Sequence, residues 1–129
     1  MADLRTALVA LENPNISRAV AAKHLADVML PLADRNRQPS RTVVDDFAKE
    51  LGFALSGKNL KDGQIANISV CLMMVMKGTV PNLKSTSLLR EVLAGAGITD
   101  FEIGTLVRRF LAIGEDVRGP DDMQLSKVR

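Results

Sequence analysis

Between Gln64 and Met76 the chain reads QIANISVCLMMVM, and from Ile68 to Met76 only Ser69 is polar. No other stretch is as apolar. Such a segment has to be surrounded, which predicts an all-α fold: a compact bundle of five to six helices around a central apolar helix, about 64–77. Ile65, Ile68, Leu72, Val75 and Met76 recur at the three- and four-residue spacing of a helix face. Met73, Met74 and Met76 favour helix over strand, because unbranched side chains keep their rotamer freedom there. Most of the circumference is expected to be buried, with the Met cluster filling gaps in the core; a soft, adaptable partner-binding surface is the alternative for that cluster. A buried strand over SVCLMMVM is the rival reading, since short apolar runs suit either state. The unbroken run Val70–Met76 falls far short of the ~20 residues that a membrane span needs.

A chain of 129 residues makes one domain with a core of its own. Residues 1–117 are expected to form it, and 118–129 to be a polar, mobile tail opened by Gly119-Pro120-Asp121-Asp122. Apolar residues make up 47% of the sequence, enough to fold. Trp and Tyr are absent, which argues against sites that bind through aromatic faces. Cys71 has no second cysteine to pair with, and MADLRTALVALENPN lacks a basic start and a long apolar stretch. Both point to a reducing compartment, and the expected location is cytoplasmic.

Charge is unevenly spread. The net is −1 over residues 1–34, +5 over 35–90 and −2 over 91–129. The basic middle holds two clusters: Arg35, Arg37 and Arg41 around the loop DRNRQPS, and Lys58 and Lys61 in SGKNLKDG. These five are the candidate phosphate-binding residues. They border opposite ends of the predicted third helix, Arg41–Leu51, which would span about 16 Å.

Taken in order, a first helix is predicted over Asp3–Leu11 and a second from Asn13-Pro14-Asn15 to Met29, its apolar face including Ile16, Val20, Ala21, Leu25, Val28 and Met29. Ser40 is expected to cap the third helix and Gly52 to end it, with Phe53–Leu55 a short extension. Asp62 and Gly78 bracket the central helix. Ser85, Thr86 and Ser87 offer caps for the next, which runs to Leu93. Thr99-Asp100-Phe101-Glu102 is a capping box opening a last helix that ends at Gly114, with Phe101, Ile103, Leu106, Val107, Phe110 and Ile113 inward.

Two motifs look functional and fail on context. GFALSGKN, Gly52–Asn59, has the spacing of a phosphate-cradling loop, but Asn59 stands where a Mg²⁺-binding hydroxyl belongs and a helix precedes it instead of a strand. Ser87–Phe110 resembles a helix-turn-helix unit, with Gly97 at the turn and Val92, Ile98, Ile103 and Val107 at the internal positions. Its reading helix, however, would lead with Asp100 and Glu102, which repel phosphate. Leu93 also stands where a small residue is expected. A plain helical hairpin accounts for it better. A second such turn over Phe47–Phe53 would put Gly57 inside its reading helix.

His24 and Cys71, single copies of each type, build no metal set, and neighbouring Asp45 and Asp46 do not share a helix face for acid–base work. No catalytic residue, cofactor or metal is expected. The leading expectation is a non-enzymatic helical interaction protein, a homo-oligomer or one docking a protein partner. The alternative is a nucleic-acid-binding protein using the basic segment, with largely backbone-directed contacts.

Overall fold

Local chemistry sets most of the helix ends. The carboxylate of Asp3 accepts from the Thr6 amide at 2.9 Å and opens α1, Leu4–Glu12. Ser17 caps α2, Arg18–Met29, through the Val20 amide, and Leu30–Leu32 adds a 3-10 turn at Pro31. α3 spans Arg41–Leu55. α4 spans Asp62–Lys77; the Lys61 amide donates to Gln64 Oε1 at its start, and Gly78, at φ +62°, closes it with its amide on the Met74 carbonyl. α5 spans Asn82–Gly95 and α6 spans Asp100–Val128. Thr99 Oγ1 accepts from the Glu102 amide, the N-cap half of the expected capping box, and donates to the Glu102 carboxylate side chain to side chain. The computed structural model describes residues 3–33, 38–78 and 82–128, with the backbone alone at 82, 83, 85 and 118–128. The chain is all-α, with no strand among the described residues.

The helices form two groups of three. α2 packs against α1 and α3, α5 packs against α4 and α6, and the groups meet where α3 lies on α6 and α1 on α4. α4 is central in that it also reaches α2 and the 3-10 turn. Its predicted face is fully inside: Ile65, Ile68, Leu72, Val75 and Met76 are buried. At the α3–α6 junction the Phe47 and Phe110 rings sit 6.0 Å apart, and Arg109 reaches Asp46 and Glu50 at 3.7 and 3.9 Å.

The corner made by α1, α2 and α3 has an unusual tie. The Arg18 guanidinium donates to the carbonyls of Leu11, Asn13, Ile16 and Gly52. A helix end leaves its last carbonyls without intrahelical partners, and a fork of fixed donors with permanent charge is suited to collecting them.

Several expectations are corrected. Gly52 does not end α3; it lies buried inside the helix, where a Cβ would stand 3.1 Å from Leu11 Cδ2, so its smallness lets α1 approach. Gly114, expected to end the last helix, is likewise buried within α6. Ser40 makes no side-chain cap; its amide donates to Asp116 of α6. α5 starts three residues ahead of the expected caps. Val20 and Phe101, expected inside, are 62% and 82% exposed, and Ala21, Ala22, Leu25, Ala26 and Met29 form the true inner face of α2. The extended turn expected at Val80-Pro81 lies outside the described residues.

Leu72 is fully enclosed. Leu72→Ala is therefore expected to lower the unfolding free energy by roughly 2–5 kcal/mol in urea titrations; a loss below about 1 kcal/mol would contradict this packing. Arg18→Met keeps the aliphatic stem but removes the shared donor of four carbonyls, of which Asn13 and Gly52 keep a backbone amide from Ile16 and Ser56. The same titration should show a loss of roughly 2–3 kcal/mol, and Arg18→Lys should recover only part of it.

Candidate interaction face

Burial of α4 is incomplete. Five positions three and four residues apart, Gly63, Ala66, Val70, Met73 and Lys77, all face outward. Val70 is 42% and Met73 43% exposed. Of the Met cluster, Met76 is core, Met74 half-buried and Met73 on the surface. The physical reason lies in the neighbours: α5 and α6 cover one side of α4, while α1 and the 3-10 turn touch only its flank.

Beside this face runs a groove of about 780 Å³. Ala66, Ser69 and Met73 of α4 form one wall, with Leu4, Val28, Pro31 and Leu32 opposite. Ser69 turns its hydroxyl back to the Ile65 carbonyl at 2.9 Å, so the α4 wall is largely apolar. Asp3, Arg5, His24 and Asp27 stand at the rim. The three charged groups have structural partners. Asp3 caps α1, Arg5 pairs with Asp62 at 2.6 Å, and Asp27 holds Lys23 at 2.9 Å and Arg41 at 2.8 Å. The hydrogen bonds from Lys23 and Arg41 hold the Asp27 carboxyl below the usual aspartate range.

Gly63 adds an independent observation. It lies in the first turn of α4 with no positive φ to require glycine, and beyond its own helix neighbours nothing lies within 4 Å of where a Cβ would be, as also holds for Gly104 in α6. A helical glycine costs up to about 1 kcal/mol relative to Ala, and no packing within this chain accounts for it.

Of the five predicted phosphate-binding residues, Arg41, Lys58 and Lys61 fall among the described residues, and Arg41 lies at the opposite end of α3 from the two lysines. Arg35 and Arg37 lie outside the described residues. Arg41 is held by Asp27 and, at 3.2 Å, by Asp45. Lys58 and Lys61 are exposed at the far end of α3, which is longer than expected. At 1.5 Å per residue the separation along the helix is about 22 Å instead of 16 Å.

The loop that mimics a phosphate cradle is filled by the protein itself. The Gly57 amide donates to the Glu12 carbonyl, the Lys58 amide to the Leu55 carbonyl, and the Leu60 amide to the Glu12 carboxylate at 2.7 Å. A cradle needs free amides pointing at an anion, and here a carboxylate already occupies that role. The α5–α6 hairpin keeps Val92, Ile98, Ile103 and Val107 inside as expected, with Gly97 at φ +84°. Arg109 is turned onto α3, leaving Arg108 exposed. The second helix-turn-helix reading fails because α3 runs unbroken through Gly52.

Among the described residues, no group of three or more His, Cys, Asp or Glu is placed to hold a metal ion, and no helix is long and apolar enough to cross a membrane. Comparison of the chain with protein-family models, with curated proteins and with solved structures gives no match.

The outward row on α4 was hidden by its own composition. Its spacing stands in the sequence, but in a nearly all-apolar run two faces fit a helical period equally well. The opposite wall is contributed by α1, α2 and the 3-10 turn, which only the tertiary fold brings there.

Burial pushes the Cys71 thiol up to about 11, so little thiolate exists at neutral pH. A disulfide-exchange reagent should leave the folded protein untouched and titrate one thiol once denaturant is added. The raised value also links to stability. An unfolded thiol ionises near ~8.5, so this contribution is complete below that pH and is lost as pH rises through the folded value.

Proposed function

We propose that this chain is a non-enzymatic interaction protein that self-associates through the outer face of α4 and the groove beside it. The observation that carries the reading is the exposure of Val70 and Met73 on the most apolar helix of the molecule. Water-facing apolar side chains that adjoin an apolar groove mark surfaces that a protein covers. The rim charges support a binding role over a chemical one, since Asp3, Arg5 and Asp27 are already committed to caps and ion pairs. Nucleic-acid binding by the basic segment is the weaker reading. Arg41 serves Asp27 and Asp45, and the lysines lie a helix length away.

Sedimentation velocity across a micromolar dilution series tests this. The wild type is expected to run above the 14.0 kDa monomer. Val70→Glu combined with Met73→Glu should run as a monomer with unchanged helical circular dichroism, because both side chains point to solvent. A wild type that stays monomeric at every concentration overturns the proposal.

A further inference from the structure

We infer that a second copy of this chain lies on the face, its α4 antiparallel to this one about a two-fold axis, Gly63 opposite Met73 and Ala66 opposite Val70. This deepens the self-association reading and rests on it. The outward positions 63, 66, 70, 73 and 77 alternate steps of three and four residues, the seam by which two helices interlock. A two-fold interface sets residue i against j and j against i, so a face that serves it must complement itself.

This one does so in size. Its first half carries Gly63 and Ala66, its second half Val70 and Met73. Antiparallel pairing puts each large side chain over a small one, and the open space at Gly63 receives Met73 of the second copy. Parallel pairing would stack Met73 on Met73 and leave a gap between two glycines.

The helix dipoles agree. In an antiparallel pair each α4 start meets the other's end, as their dipoles favour, whereas a parallel pair would set like ends together. Asp62 at the start already pairs with Arg5, and Lys77 stands exposed at the end. A stable interface buries about 800 Å² per partner, more than one helix seam about 24 Å long supplies. The groove wall at Pro31 and Leu32 extends the contact.

Disulfide trapping in the full chain decides between geometries. Ala66→Cys chains are mixed with isotopically labelled Val70→Cys chains, oxidised mildly and weighed intact, with wild type as control because its Cys71 is buried. The mixed disulfide is expected to exceed either homodisulfide about tenfold or more. Dominant homodisulfides would overturn the antiparallel arrangement. So would the absence of a mixed disulfide in protein that still sediments as a dimer, and this result leaves self-association standing. A monomeric wild type overturns both.

Gly63→Leu provides the second readout. It fills the space meant for Met73 of the second copy, so the dimer dissociation constant should rise about tenfold or more, while the monomer's thermal midpoint does not fall. Unchanged dimer affinity would overturn the inference.

Discussion

The C-terminal end of α1 is where this fold is tied together. A helix presents unpartnered carbonyls and partial negative charge at that end. Here Arg18, from the start of the next helix, gathers two of the carbonyls around it, Leu11 and Asn13, together with that of Gly52 in α3. Glu12, in the same turn, takes up the Gly57 and Leu60 amides and so fixes the loop that leads into α4. One turn of helix thus sets the angle between α1 and α2, the seat of α3 and the entry of α4. Without Arg18, the part-buried carbonyls of this corner would lose their common donor.

That tie also shapes the exposed face. With α1 anchored at its end, its first turn lies alongside α4 near Asp62, joined by Arg5. α1 and the 3-10 turn then flank α4 without closing over it, and a groove remains. A chain that meant to bury its most apolar helix would need one more element there. In the proposed dimer a second copy would supply that element.

Much of the fold was legible in the residues. The helix start at Thr99, the closing Gly78 and the five inner positions of α4 all follow from local chemistry or spacing, and each stands where expected. Errors arose where a local rule met a tertiary one. Glycine weakens a helix in isolation, yet Gly52 and Gly114 are buried inside helices; at Gly52 a neighbouring helix needs the room. Val20 and Phe101 are hydrophobic and periodic, yet no partner helix passes over them. Arg41 of the basic segment shows a related effect. Sequence proximity brings like charges together on paper, whereas folding offered Arg41 two aspartates, Asp27 from another helix and Asp45 a turn along its own.

The contact between Leu11 and Gly52 bears on how the sequence can diverge. The two helices approach so closely there that a methyl group added at 52 would meet Leu11 Cδ2 at 3.1 Å, and the fully enclosed Leu11 would have to give by a few tenths of an ångström. A larger side chain at 52 asks for more room than that, so a smaller residue at 11 eases its acceptance. The two positions share one volume although they stand 41 positions apart in the chain.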